Sequence, residues 1–444
     1  MLRTPKKMKR LEIEIPGDSS ESTTASVAPE LIGFTPKNAK KGNNLTTGIS
    51  LFKGFIGTGV LAMPHSFKEA GLGLSIFTTI ILGAVNYVTL DQAVRVADHM
   101  KAVSISLPGL AQRVLGRWGR IVAEVCILLM QFSACIGYLL FVSKFLAFVF
   151  CSYQVEGLCN APLIYVLFAL VFILPLSLIS NMHYFYIPSL FANVLMMLGF
   201  LVQMIYDIYV FSTDANVRGL FWGELGTFNF SKFPYIFGIS VYAFEGIGLI
   251  FPIRASMRTS SDFGKILRTV MFVLTIMYLI FSSLSYIAFG ESTIEIIFFN
   301  LPIDSMFYLT IQVLYAFALI FTYPLAMYPA LQILETYATI RKFVTGPENQ
   351  PMQYRRYILR NIVNVFVFLI AFSLPSFGLF INLIGSLVYT YISFILTTSM
   401  YNKYFEKTIT NKEKYFNYMI MGIGAIAGIF GTVYSIIAMF DIDE

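Results

Sequence analysis

The chain of 444 residues carries 31 lysines and arginines and 25 aspartates and glutamates, yet charged residues make up only 13% of it. Hydrophobic residues reach 57%, and the mean hydropathy is +0.72. Because ordinary soluble domains carry about 25% charged residues, this composition excludes a water-soluble fold and indicates a protein whose solvent is a lipid bilayer.

The first 45 residues differ from the rest of the chain. They are polar, with the basic cluster KKMKR at 6–10 and a stretch rich in serine and threonine at 19–26. Such a composition cannot bury enough apolar surface to fold, so we predict a disordered tail over residues 1–45. A single transmembrane domain is predicted over residues 46–440.

Eleven apolar segments of that domain are long enough to cross about 30 Å of hydrocarbon as helices. Runs such as IYVLFALVFILPLSLI at 164–179 do not alternate polar and apolar residues, as the strands of a membrane barrel would. We therefore predict an all-α polytopic membrane protein. The predicted spans are 46–69, 73–94, 118–150, 161–180, 184–211, 233–256, 266–289, 303–339, 358–376, 378–400 and 416–440.

The basic residues predict the orientation of these spans. Of the 31 lysines and arginines, 26 fall in the tail and in the connections on its side of the membrane. Short cytoplasmic connections retain basic residues, so we predict a cytoplasmic N-terminus. Because the basic residues follow membrane topology, they give no support for nucleic acid binding.

Glycines interrupt spans 1 and 6 at matching positions. Span 1 contains GTG at 57–59 followed by Pro64, and span 6 contains GIG at 246–248 followed by Pro252. Backbone groups freed inside hydrocarbon cost several kcal/mol each, so a helix is interrupted at depth for a purpose. Two breaks five helices apart predict a five-plus-five inverted repeat with discontinuous helices 1 and 6, plus one extra C-terminal helix.

The chemistry of such breaks points to a zwitterion. Half-helix N-termini present N–H groups and partial positive charge to an anion, and the preceding half-helices present carbonyls to a cation. An amino acid carries both groups on one carbon. A glycine-mediated helix contact is the alternative explanation of the motifs. The main-chain groups expected to bind substrate belong to Ile56, Gly57, Thr58, Gly59, Val60, Gly246, Ile247 and Gly248.

Side-chain selectivity is expected from polar and aromatic residues near the breaks or on neighbouring helices, although each could equally serve helix packing. These residues are Gln131, Tyr242, Phe244, Thr322 and Tyr323.

Two charged residues lie inside the predicted spans and are candidates for coupling. Glu245 belongs to the break in span 6, where an ionised carboxylate must be wet, paired or protonated. It can load and release a proton, or it can cap the freed N–H groups of the break. Lys53 either acts as a fixed cation in place of a metal ion or extends its long side chain to the membrane interface.

No enzyme signature accompanies these features. The three histidines are scattered, and neither a phosphate-binding loop nor a set of metal ligands can be assembled from the sequence. We therefore expect no enzymatic activity, no cofactor and no metal site. Cys151 and Cys159 bracket a short non-cytoplasmic loop, where an oxidising compartment would allow a disulfide.

Four stretches resemble the amino acid/auxin permease family of transmembrane amino acid transporters. They are LFKGFIGTGVLAMPHSFKEAGL at 51–72, VYAFEGIGLIFPI at 241–253, FTYPLAMYPALQILE at 321–335 and LFINLIGSLVYTYISF at 379–394. The sequence is most similar to the branch of animal proton-coupled transporters and yeast vacuolar amino acid exporters. The resemblance covers about residues 45–438.

The resemblance implies a secondary active transporter that carries small neutral amino acids by alternating access, with protons as the coupling ion. It favours a vacuolar or lysosomal membrane, with the plasma membrane as an alternative. Ser50 stands where proton-coupled relatives carry a histidine, and Lys53 stands where sodium-coupled relatives carry an asparagine. The first departure argues against proton coupling through that histidine, and the second argues against sodium coupling. An amino acid sensor with little transport is the alternative function.

Overall fold

The computed structural model describes residues 42–102, 105–153, 162–178, 186–213, 228–345 and 352–441. Within these residues nine helices are long and apolar enough to cross a membrane, and a tenth crossing is made by a helix pair bent by 51°. A further apolar helix, Pro162–Leu178, has 17 residues. These eleven segments match the predicted spans, and the all-α polytopic fold is confirmed. The predicted tail falls outside the described residues up to position 41.

The first repeat begins with the broken helix and ends at Thr213. A 3₁₀ turn, Thr58–Ala62, joins the two halves of the break. The helices of the first repeat are α1 (Asn44–Phe55), α2 (Met63–Ala70), α3 (Leu72–His99), α4 (Leu107–Leu115), α5 (Arg117–Ser152), α6 (Pro162–Leu178) and α7 (Tyr186–Thr213).

The second repeat begins with the other broken helix, and one helix follows it. The middle of its helix Phe377–Tyr404 is π-helical, at Gly385–Tyr389 and Tyr391–Leu396. The helices are α8 (Phe233–Ala243), α9 (Ile247–Ala255), α10 (Phe263–Phe289), α11 (Met306–Thr336), α12 (Ala338–Thr345), α13 (Gln353–Ser373), α14 (Phe377–Tyr404) and the extra C-terminal helix α15 (Asn411–Phe440).

Two short helices depart from the predicted spans. Span 8 was predicted to run to residue 339, but α11 ends at Thr336 and a separate amphipathic helix, α12, follows. The stretch before α5 forms α4, which buries Leu107, Leu110 and Ala111. Gly71 has φ +81°, a conformation that favours glycine, and it allows α3 to begin directly after α2.

The side of the molecule where α1 begins, here called the basic side, is closed by contacts between the repeats. The Gly42 backbone accepts from the Arg258 amide and donates to the Ser256 carbonyl, each at 3.0 Å, so the chain before α1 pairs with the chain after α9. Arg254 of α9 is almost fully buried, pairs with Asp98 of α3 and donates to the Ala102 carbonyl at 2.9 Å.

The other side of the molecule, here called the opposite side, is tied together in the same manner. Lys232 lies 3.3 Å from the Glu69 carboxylate, which links the start of α8 to α2. Lys144 of α5 donates to the Pro375 carbonyl at 2.7 Å, which links α5 to the chain between α13 and α14. Cys151, near the end of α5, is disulfide-bonded, whereas Cys159 lies outside the described residues.

Glycines allow α8 to cross α14 at very short range. A Cβ atom on Gly385 would lie 2.8 Å from the carbonyl carbon of Gly238, and a Cβ on Gly238 would lie 2.5 Å from the Asn382 carbonyl oxygen. Both values are below the shortest distances that real Cβ atoms show. The crossing therefore requires glycine at both positions, in the way that small residues mediate helix contacts in membranes.

We expect Gly385→Ala to destabilise the protein by about 1–3 kcal/mol, because the added methyl group meets backbone atoms that cannot move independently. The measurement is the midpoint of thermal unfolding in detergent. Gly422→Ala in α15 is the matched control, since a Cβ there meets nothing within 4 Å. Equal midpoints for the two variants would contradict the explanation.

Candidate functional site

The two helix breaks meet at one tyrosine. The Tyr278 hydroxyl of α10 lies 3.0 Å from the Phe55 carbonyl oxygen, at the end of α1, and 3.2 Å from the Ala243 carbonyl oxygen, at the end of α8. These are the carbonyls of the last residue of each first half-helix, where the helix cannot supply its usual donor. Tyr278 is fully buried. A single hydroxyl therefore holds the two breaks together.

The backbones of the two breaks also touch directly. A Cβ on Gly59 would lie 2.5 Å from the Tyr242 ring and 3.3 Å from the Cα of Ala243. On the other side of the contact, a Cβ on Gly246 would collide with the Phe55 ring. Gly59 and Gly246 are therefore required for the close approach, so the glycine-contact explanation holds for these two positions.

Gly57 differs from Gly59 and Gly246, the two glycines at the contact. Its backbone is extended, at φ −123° and ψ −168°, and a Cβ there would meet nothing within 4 Å. It is half-buried, directly before the buried turn Thr58–Ala62. Gly57 thus combines the start of a half-helix with open space, which is the arrangement that a bound ligand requires.

The N-terminus of α9 is occupied by the chain's own carboxylate. Glu245 Oε1 accepts a hydrogen bond from the Ile247 amide at 2.5 Å, and Glu245 Oε2 accepts one from the Ser393 hydroxyl. Glu245 is 8% exposed. It therefore caps the second half-helix and links the break to the π-helical part of α14, where such irregular turns often mark functional positions.

A group of hydroxyls lies beside the breaks. The Tyr242 hydroxyl is next to those of Thr58 and Tyr389, and the Tyr389 hydroxyl is next to that of Ser133. The rings of Tyr242 and Tyr389 are 4.9 Å apart. These four hydroxyls form a cluster that connects the first break, α5, α8 and α14. It offers polar contacts around a ligand that the main-chain groups hold.

The other predicted residues are distributed as follows. The Phe244 ring packs 5.1 Å from that of Tyr278, and Val60 and Ile247 are buried at the breaks. Ile56 and the half-buried Lys53 line a cavity of about 10 Å³ against α7. Gly248, which faces open space, is half-buried at the start of α9.

Three predicted residues lie on the surrounding helices. The Tyr323 hydroxyl donates to Asn364 of α13 at 3.0 Å, and the Thr322 hydroxyl donates to the Ala318 carbonyl of its own helix at 2.8 Å. Gln131 is half-buried on α5, two positions before Ser133. The structure therefore brings the residues of both breaks together and directs Tyr323 toward α13.

Several site residues were not found from the sequence. Tyr278, Tyr389, Ser133 and Ser393 reach the breaks from helices that the glycine motifs do not mark. Tyrosine and serine are common in membrane helices, so their residue type carried no distinguishing signal. Within the described part of the chain, no group of three or more histidine, cysteine or acidic side chains could hold a metal ion.

The family model described as "Transmembrane amino acid transporter protein" matches residues 40–441. The chain belongs to this family. Its relatives are transporters and not enzymes, and the resemblance stated from the sequence motifs is confirmed. The protein is accordingly a multi-pass integral membrane protein, and its membership supports amino acid transport.

Three curated relatives are similar over most of the chain. Amino acid transporter AVT3A of Arabidopsis thaliana is 28% identical and is matched over 92% of this chain and 91% of its own. Vacuolar amino acid transporter 4 of Saccharomyces cerevisiae is 29% identical over 78% of this chain and 51% of its own. The proton-coupled amino acid transporter-like protein pathetic of Drosophila melanogaster is 25% identical over 78% of this chain and 74% of its own.

Solved structures show the same fold at low sequence identity. The inward-facing conformation of Mhp1 matches with a TM-score of 0.57 and 14% identity, over 91% of this chain and 93% of that one. The MhsT structure in complex with L-phenylalanine matches with a TM-score of 0.52 and 13% identity, over 89% and 99%. Both support the inverted-repeat architecture.

We expect Tyr278→Phe to destabilise the protein by about 1–3 kcal/mol, because the buried carbonyls of Phe55 and Ala243 lose their shared partner. Thermal unfolding in detergent measures the loss, and radiolabelled amino acid uptake should fall with it. Tyr209→Phe, at a side chain 59% exposed on α7, serves as the control. A Tyr278→Phe protein with the stability and uptake of the parent would show that the hydroxyl does not hold the breaks.

Proposed function

We propose that the protein is a secondary active transporter that carries small neutral amino acids by alternating access and is coupled to protons. The observation that supports this proposal most strongly is the junction at Tyr278, which places two half-helix ends beside each other within the membrane domain. Family membership supports amino acids as the substrate class. The relative described as proton-coupled supports the coupling ion.

The two breaks offer different binding sites to the substrate. The amide of Ile247 is already bonded to Glu245, so the N-terminus of α9 carries a compensating negative charge. The start of the turn at Thr58, next to the open space at Gly57, has no such acid in its first turn. We therefore place the substrate carboxylate at Gly57 and Thr58, where N–H groups and the helix dipole favour an anion.

The substrate ammonium group belongs on the other side of this site. Glu245 supplies negative charge there, and the α8 end supplies carbonyl groups that favour a cation. Because Tyr278 occupies the last carbonyls of α1 and α8, the carbonyls that follow them in the breaks remain for the substrate. Tyr242 and Phe244 limit the space for the substrate side chain, which is why a small neutral amino acid is preferred.

Protonation of Glu245 links coupling to the substrate site. The ionised carboxylate accepts from the Ile247 amide and the Ser393 hydroxyl, whereas the protonated form accepts less strongly. A proton on Glu245 therefore loosens α9 from α14. In this proposal Lys53 is a fixed cation at the end of α1, in place of a coupling metal ion.

The proposed membrane is vacuolar or lysosomal, with the N-terminus in the cytoplasm. The yeast relative named as a vacuolar transporter supports that membrane, and the basic residues support the orientation. In such a membrane the basic side faces the cytoplasm and the opposite side faces an acidic lumen.

Reconstitution tests the function directly. Purified protein in proteoliposomes should take up radiolabelled small neutral amino acids saturably, and an imposed pH gradient, acidic outside, should drive their accumulation. A panel of amino acids identifies the substrate. Saturable binding without uptake would instead indicate an amino acid sensor, and flux that does not saturate would contradict a carrier.

Gly57→Ala and Gly59→Ala should have different effects. The methyl group on Gly57 enters open space at the proposed carboxylate position, so it should raise KM for the substrate about tenfold, equivalent to about 1.4 kcal/mol, and leave thermal stability unchanged. Gly59→Ala should instead lower thermal stability, because the Tyr242 ring occupies the space. Unchanged uptake kinetics for Gly57→Ala would place the carboxylate elsewhere.

Glu245→Gln keeps the shape of the side chain and removes its proton-binding group. We expect uptake that no longer responds to pH, because the amide cannot bind and release a proton. The control is Glu291→Gln, at an exposed position after α10. If uptake by the Glu245→Gln protein follows the pH dependence of the parent, the carboxylate is a structural cap only.

A further inference from the structure

A second carboxylate is buried away from the breaks. Asp207 is the only charged residue in α7 (Tyr186–Thr213), and it is fully buried. Its Oδ1 accepts a hydrogen bond from Gln203 Nε2 at 2.8 Å, and its Oδ2 accepts one from the Ser285 hydroxyl at 2.6 Å. A buried acid within a membrane-spanning helix is expensive, and such residues often mark functional sites.

No compensating charge lies beside Asp207 in the part of the chain that the structure describes. Among the described residues no lysine, arginine or histidine forms an ion pair with it. The charged residues of α10, Lys265 and Arg268, lie at the far end of that helix from Ser285. Tyr206 of α7 is a titratable group near the carboxylate, and its ring packs 5.0 Å from that of Tyr308 of α11.

The Gln203 side chain is suited to both protonation states of Asp207. Its Nε2 donates to the carboxylate, while its Oε1 is buried without a hydrogen-bond partner. Such an orphaned acceptor is costly. Protonated Asp207 has a donor to offer, and rotation of the Gln203 amide brings Oε1 to that proton. The orphaned oxygen is therefore explained if the carboxyl group is protonated during the protein's cycle.

The hydrogen bond to Ser285 crosses between the repeats. Asp207 belongs to the last helix of the first repeat, and Ser285 belongs to α10 of the second. Further along the same interface, the Phe200 ring of α7 stacks on the Phe281 ring of α10 at 4.2 Å. Helix α10 also carries Tyr278, which holds both breaks. Any change at Asp207 is thus connected through one helix to the substrate site.

We propose that Asp207 is a proton-binding residue of the transport cycle, positioned between the repeats and separate from Glu245. The inference rests on the proposed function as a proton-coupled carrier. A proton from water on the opposite side binds a carboxylate oxygen, and the neutral acid then donates to Gln203. Ser285 loses its charged acceptor, which weakens the link between α7 and α10. Release of the proton to water on the basic side restores the carboxylate and the link.

The test compares three activities of the full-length protein in proteoliposomes with Asp207→Asn. They are exchange of radiolabelled amino acid at equal pH, accumulation driven by a pH gradient, and proton influx reported by a trapped fluorescent dye. Asp262→Asn is the matched control, because it makes the same change at a residue of the basic side that pairs with Lys265 at 3.5 Å.

The expected result separates coupling from folding. With one proton per amino acid, a gradient of about one pH unit supports an about tenfold accumulation by the parent and by Asp262→Asn. The exchange rate of Asp207→Asn should stay within about twofold of the parent's rate, a change as small as that caused by a neutral substitution. Its gradient-driven accumulation and its proton influx should be lost.

Other results overturn the proposal in distinguishable ways. Accumulation and proton influx by Asp207→Asn at the parent's level would overturn the role of Asp207 and leave the proposed function standing. Exchange by the parent without proton influx would overturn both coupling and this role, but not amino acid transport. If Asp207→Asn fails to fold, Asp207→Glu is the deciding variant, because it keeps a titratable group. We expect the Asp207→Glu protein to show proton influx. Amino acid exchange by this variant without proton influx would overturn the proposal.

Discussion

The structure depends on satisfying backbone polar groups that lie in hydrocarbon. Each interrupted helix frees carbonyl groups at the end of one half and amides at the start of the next, and no water is present in the lipid to bond them. Tyr278 meets this requirement for the carbonyls of Phe55 and Ala243. Glu245 meets it for the amide of Ile247. Each of these side chains therefore lowers the cost of the interruptions.

This requirement also distinguishes the two breaks from each other. The second break carries its own anion in Glu245, whereas the first break leaves open space at Gly57. In the proposed site, one region consequently favours an anion and the neighbouring region favours a cation. An amino acid matches this separation of charge because its two ionised groups are attached to one carbon.

Alternating access requires that the contacts between repeats can break on each side in turn. The Lys232–Glu69 pair on the opposite side is partly exposed, and such pairs contribute only about 0–1 kcal/mol. On the basic side, Arg254 is buried and bonded to Asp98 and to a backbone carbonyl, so its separation is more costly. Opening of the basic side therefore has to break a pair with one buried partner, whereas opening of the opposite side breaks a partly exposed pair.

The sequence predicted the fold well because the bilayer constrains it so strongly. Span lengths follow from the thickness of the hydrocarbon. The glycine motifs at residues 57–59 and 246–248 mark the breaks, because only glycine allows the close approach seen at Gly59 and Gly246. The same rule on intramembrane charge that selected Glu245 applied to Asp207, but Asp207 lies only a few residues from the predicted end of span 5, where a charge can reach the interface.

The sequence by itself determined the solvent, the helix count, the repeat and the position of the breaks, because each follows from local composition. Only the tertiary structure decided which side chains reach them. Helix α11 is apolar on all sides, so its periodicity does not show which face Tyr323 occupies, and its hydroxyl reaches Asn364. Tyr278, Ser393 and Ser285 act through contacts with distant segments, which packing alone establishes.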